Sequence, residues 1–153
     1  MVKLDNKLKP KKIKIGILGG SFDPAHKGHL AISKEAAKRF KLKNIIWAIT
    51  KKNPFKKKSN SSVLSRIKYC KKIIGSTRFI KVKFFENIIK SNKTIDLINY
   101  LSKSKKSEFY FLMGADNLIS FHKWHKWKTI SKKCKIIVFD RHGYKKKSLN
   151  SMT

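Results

Sequence analysis

The chain has 153 residues, 41% of them hydrophobic, which is enough for one domain with a core of its own and too few for two. Its charge of +31 comes from 39 basic against 8 acidic residues. Only Arg39, Arg66, Arg78 and Arg141 are arginine, however, and specific readout of nucleic acid favours arginine's planar fork, so a lysine-rich solvated surface is the better reading and nucleic-acid binding is not expected. No stretch approaches the roughly 18 uninterrupted apolar residues of a bilayer span, and no apolar core follows the basic start Met1–Lys12. Cys70 and Cys134 stand alone and far apart, which argues against a disulfide framework or a four-ligand zinc site and sets the expectation of a reducing cytoplasm.

Short β-branched runs alternate with helical stretches along the chain, as in βα units around a parallel sheet. The first strand is expected over Lys14–Leu18, broken by Gly19-Gly20. A helix follows over Lys27–Phe40, with Ile32, Ala36, Ala37 and Phe40 at spacings of three and four. Asn44–Ile49 reads as the second strand and Lys51–Ser62 as a loop carrying Asn53-Pro54 and Lys56. Val63–Ile74 reads as the second helix, and Phe79–Phe85 as a half-buried strand in which apolar residues alternate with lysine. Ile95–Leu101 is helical, with Thr94 as its expected N-cap and Asp96 in its first turn. Phe109–Met113 is a buried strand, Gly114 opens a loop, and helical pieces begin near Asn117 and Trp127. Ile136–Phe139 is the last strand.

The fold class expected is therefore α/β: a Rossmann-like open parallel sheet with helices on both faces, in a single domain. Its bounds are a basic tail at 1–12, the domain at 13–144 and a polar end at 145–153.

Gly19-Gly20-Ser21-Phe22-Asp23-Pro24-Ala25-His26-Lys27-Gly28-His29-Leu30 lies between the first strand and the first helix. Two glycines after a strand let the backbone turn and approach a ligand, and the helix start offers N–H groups and the positive end of a dipole to phosphate. His26 and His29, three apart, share one side of that helix. Histidines that merely cap the helix are the plainer reading of such a pair in isolation. At the carboxyl end of the first strand of an α/β sheet, where ligands bind, a phosphate-handling role is favoured instead. No cysteine or carboxylate cluster accompanies the pair, so a protein-held metal is not expected. The spacing fits neither the Walker loop nor the G-x-G-x-x-G fingerprint.

The stretch resembles the signature of the H-x-G-H nucleotidyltransferase superfamily. Gly114-Ala115-Asp116-Asn117-Leu118, the segment Phe121–Trp127, Asn53-Pro54-Phe55-Lys56 and Thr94-Ile95-Asp96 are similar, in the same order, to the nicotinate-nucleotide adenylyltransferases. That resemblance implies adenylyl transfer from ATP to nicotinate mononucleotide, with Mg²⁺ carried by ATP and pyrophosphate and no covalent enzyme intermediate. It implies that His26 and His29 contact the ATP phosphates and that Gly19, Gly20, Ser21 and Phe22 line the phosphate path. Gly28 then lets adenosine lie against the helix, and Lys56 is a candidate phosphate contact. On the acceptor side Thr94 holds the nicotinate carboxylate through its backbone, Asp116 bonds ribose or orders the pocket, and Trp124 stacks on the nicotinate ring.

The sequence departs from the family pattern in three places. Lys93 and His125 stand where aromatic residues are usual, and the family's C-terminal Ser/Thr-rich segment ending in arginine has no counterpart before Thr153, from which weaker ATP binding is expected. The alternatives are another transferase on the same scaffold, such as the pantetheine-phosphate enzyme, and a truncated, non-catalytic nucleotide binder.

Overall fold

The computed structural model describes residues 11–51 and 62–140, so the Asn53-Pro54-Phe55-Lys56 motif, His142 and the polar end fall outside the described residues. In chain order the elements are β1 (Ile13–Gly20), α1 (Lys27–Phe40), β2 (Asn44–Ile49), α2 (Val63–Ile74), β3 (Ile80–Lys83), α3 (Glu86–Ile89), α4 (Thr94–Leu101), β4 (Ser107–Gly114), α5 (Ala115–Ser120), a 3₁₀ turn (Phe121–Lys123), α6 (Trp127–Lys133) and β5 (Lys135–Phe139). The five strands form one sheet in the order β3-β2-β1-β4-β5, every neighbouring pair parallel. This is the Rossmann-like arrangement expected. Chain order reverses between β1 and β4, which opens a crevice at their carboxyl ends.

Strand alternation divides the core in two. Leu18, Ile45, Trp47, Ile49 and Leu112 point toward α1 and α2, whereas Ile17, Ala48, Phe109, Phe111 and Met113 point toward α4 and α6. A parallel sheet buried on both faces requires apolar residues at both parities, and β4 supplies them without a break from Phe109 to Met113.

Three local expectations are corrected. The strand expected over Phe79–Phe85 pairs only over Ile80–Lys83, because β3 is an edge whose partners in β2 run from Ile45 to Ala48; the chain then turns into α3, a single turn too short to show a period. Thr94 is not an N-cap: Lys93 holds that position in extended conformation, and Thr94 is the first helical residue. The turn before α4 is instead held by Ser91, whose Oγ donates to Asp96 Oδ2 at 2.6 Å and accepts from the Lys93 N–H at 3.0 Å. No loop follows Gly114, which ends β4 and directly N-caps α5, so the helix begins at Ala115 rather than near Asn117 and Asp116 sits in its first turn.

Candidate active site

β1 delivers the Gly19-Gly20 backbone to the crevice and α1 begins seven residues after Gly20. His26 is the N-cap of α1, with extended backbone, and its Nδ1 accepts the Gly28 N–H at 3.1 Å. The Nδ1 of His29 in turn accepts the His26 N–H at 3.1 Å, so the two side chains close a reciprocal capping box. An imidazole nitrogen that accepts a backbone N–H carries no proton, which places the ring proton of each neutral histidine on Nε2. The rings lie side by side, centroids 3.9 Å apart and 33° between planes, with both Nδ1 atoms turned to the helix start. Both imidazoles thus sit at one end of the helix, where the first turn contains no acidic residue to offset the positive end of the dipole.

Gly28 is needed for this geometry. A Cβ on it would fall 2.8 Å from both Cε1 and Nδ1 of His26, so a side chain there displaces the imidazole. His29 is set from behind by aromatic packing: Phe22, 3% exposed and in left-handed conformation, has its ring 4.7 Å from that of His29 and stacks at 5.0 Å on Trp47. The indole N–H of Trp47 donates to Ser33 Oγ at 2.8 Å, and that hydroxyl donates to the His29 carbonyl at 2.8 Å. Ser33 and Trp47 are both fully buried, so this chain meets the hydrogen-bonding need of the indole while fixing the first turn of α1.

The other side of β1 is organised around Phe111. Its ring tip lies 3.9 Å from where a Gly19 Cβ would stand, and Trp124 meets the Phe111 ring edge-on at 5.9 Å. Trp124 also packs edge-on against Phe121 at 5.3 Å and stays partly exposed, so it belongs to the packing while keeping part of its surface accessible. Trp127 packs on Phe121 at 5.8 Å, whereas His122 and His125 are on the surface. Asp116 is exposed in the first turn of α5, straight after β4, and Thr94 opens α4 on the same face of the sheet.

The structure thus gathers Gly20, Phe22, His26, Gly28 and His29 on the α1 side of β1, and links Gly19 through Phe111 to Trp124 on the α4 and α6 side. No contact joins Thr94 or Asp116 to the histidines among the interactions described. Among the described residues no three His, Cys, Asp or Glu side chains gather as a metal site, and no helix is long and apolar enough to cross a membrane.

Sequence reasoning missed Arg66, a side chain of α2 that is 3% exposed. Its Nη1 donates to the carbonyls of Ser21 and Thr50 at 2.8 and 2.7 Å, and its Nη2 to that of Lys51 at 2.8 Å. Glu86 was missed as well: its Oε1 accepts the Lys51 N–H at 3.0 Å. Burial pushes the Glu86 carboxyl above its ordinary range, against the opposing pull of that hydrogen bond and of the positive charges on Arg66 and Lys51. The one available signal for Arg66 was its identity, an arginine in a chain that uses lysine almost everywhere else.

Residues 17–152 match the family described as cytidylyltransferase-like. Over its full length the chain is 69% identical to a protein of Pelagibacter ubique (strain HTCC1062) named a probable nicotinate-nucleotide adenylyltransferase, and it covers 85% of that protein. A probable nicotinate-nucleotide adenylyltransferase of Bradyrhizobium sp. (strain ORS 278) is 38% identical over 141 residues, covering 91% of this chain and 73% of the relative. Among solved structures, the Plasmodium falciparum nicotinic acid mononucleotide adenylyltransferase complexed with NaAD superposes with a TM-score of 0.70 at 20% identity, over 82% of this chain and 63% of that one, a likeness of fold.

Proposed function

We propose a function from one premise: this chain belongs to the cytidylyltransferase-like family and, within it, to the nicotinate-nucleotide adenylyltransferases. It transfers the adenylyl group of ATP to nicotinate mononucleotide, giving deamido-NAD and pyrophosphate, a step of NAD biosynthesis.

The observation that carries the assignment of roles is the histidine pair at the start of α1, with both Nδ1 atoms committed to backbone N–H groups. An oxygen of the acceptor phosphate bonds to the α-phosphorus of ATP while the bond from that phosphorus to the bridging oxygen breaks, and pyrophosphate departs. Negative charge shifts onto the departing oxygens, so the protein's task is to position the reactants and to offer N–H donors. In this reading the Nε2–H groups of His26 and His29 donate to phosphate oxygens of the transferring and leaving groups. The backbone of Gly19, Gly20, Ser21 and Phe22 lines their path, and Gly28 leaves room for adenosine beside the helix. Lys56 is a further phosphate contact.

Nicotinate mononucleotide occupies the other side of β1, with its ring against the half-exposed Trp124, its ribose toward Asp116 and its carboxylate at the first turn of α4 by Thr94. N–H groups of a first helical turn have no partner four residues back, and such donors suit a carboxylate. ATP enters as its divalent-metal complex, with magnesium the proposed ion, held by the phosphates rather than by a set of protein ligands. Two buried thiols, Cys70 and Cys134, accord with work in a reducing cytoplasm.

The test offers Mg-ATP with nicotinate mononucleotide or nicotinamide mononucleotide and measures pyrophosphate and dinucleotide, with His26→Ala as control. Turnover with the acid form, abolished in the variant, is expected. Turnover with neither acceptor, or full activity in the variant, refutes this reading.

A further inference from the structure

The loops after β1, β2 and β3 are tied together by one side chain and its electrostatic partner. Arg66 reaches from α2 to the carbonyl of Ser21 in the phosphate-path loop and to those of Thr50 and Lys51, the first two residues after β2. The Thr50 N–H donates in turn to the Gly20 carbonyl at 2.8 Å, and the Lys51 N–H to Glu86, the first residue of α3 after β3. An arginine buried to 3% exposure is costly unless its fork is well satisfied, and here the satisfaction comes from backbone carbonyls at the rim of the crevice. The backbone of Ser21 has no other described side-chain tie to the neighbouring loop. Lysine, otherwise the chain's basic residue, presents a single point of charge and cannot span three carbonyls with two nitrogens.

We propose that Arg66 is a positioning residue for adenylyl transfer: it holds the Gly20-Ser21 backbone against the Thr50-Lys51 segment, so that the phosphate path keeps its register with His26 and His29, and Glu86 steadies the far end of the clamp. The role rests on the functional reading above. It predicts a loss in kcat rather than in folding, because misplacement of reacting groups by about an ångström costs on the order of 100-fold in rate. The acceptor side, built on Phe111 and Trp124 across β1, is spared.

The experiment compares wild type, Arg66→Lys and Glu86→Ala by steady-state kinetics with Mg-ATP and nicotinate mononucleotide, at a temperature where urea titration shows each chain to be folded. Expected are a roughly 10- to 100-fold lower kcat for Arg66→Lys, a smaller loss of several-fold for Glu86→Ala, and a KM for nicotinate mononucleotide within about threefold of wild type in both. Should Arg66→Lys fail to fold, the Glu86→Ala kcat decides alone. A kcat per folded molecule equal to wild type in the variant that decides, or a loss confined to the acceptor KM, overturns the role while leaving the functional reading intact. An inactive wild-type chain overturns both.

Discussion

Gly28→Ala separates catalysis from stability at the start of α1. The added Cβ would stand 2.8 Å from Cε1 and Nδ1 of His26, whereas ordinary contact begins at 3.4 Å, so the imidazole must retreat by about 0.6 Å. That movement strains the 3.1 Å bond from the Gly28 N–H to His26 Nδ1, the contact that sets the tautomer. Loss of the cap costs about 1 kcal/mol. Alanine in place of glycine in a helix returns about the same amount, so the net change in folding free energy is within about 1 kcal/mol of zero. The chemistry has no such offset: removal of one well-placed donor from developing charge typically lowers kcat by about 10²- to 10³-fold. Pyrophosphate release measured beside a urea titration tests the pair of expectations. A variant that keeps kcat within threefold of wild type refutes the link between Gly28 and the placement of His26. Destabilisation beyond about 3 kcal/mol refutes the offset between cap and propensity.

Ser33→Ala leaves the buried indole N–H of Trp47 without its acceptor and should cost about 1–3 kcal/mol, while the same change in a Trp47→Phe background should cost distinctly less; equal costs in a double-mutant cycle by urea titration would show that the 2.8 Å bond carries no coupling. Burial raises the thiols of Cys70 and Cys134 from 9.0 to about 11, so the stability each contributes is fully present below pH 9 and is lost as pH rises through about 11. Wild type should therefore lose about 2–3 kcal/mol per thiol relative to a Cys70→Ala, Cys134→Ala chain between pH 8.5 and 11.5, and parallel stability curves for the two would contradict the shift.

The bounds of α1, β2 and α2 were legible in the sequence because each carries a full period of apolar residues, as with Ile32 and Ala36 in α1. Where the period is short or the boundary is set by pairing, the sequence is silent: β3 ends where β2 stops offering partners, and α3 is one turn. Thr94 looked like a cap because its residue type suits one, yet the backbone places Lys93 there and leaves the turn before α4 to Ser91 and Asp96. The histidine pair was visible because its partners lie within three residues. Arg66 was not, since its three carbonyls are 15, 16 and 45 residues away and only the order of the strands brings them to one point. Phe111 and Trp47 read simply as core, and their second role, shaping the two sides of β1, follows from alternation at the end of a strand.

His26 does the work of a helix cap, a task for which aspartate, serine and asparagine are the favoured residues. An aspartate at this position would start α1 at least as well, but its carboxylate would meet the incoming triphosphate with like charge. On the function proposed above, the histidine is a concession in folding made for turnover. In a descendant relieved of the reaction, drift at position 26 toward aspartate, serine or asparagine is the downhill direction. On that reading, identity at position 26 should separate, across relatives, lineages still selected for catalysis from those retaining only the scaffold.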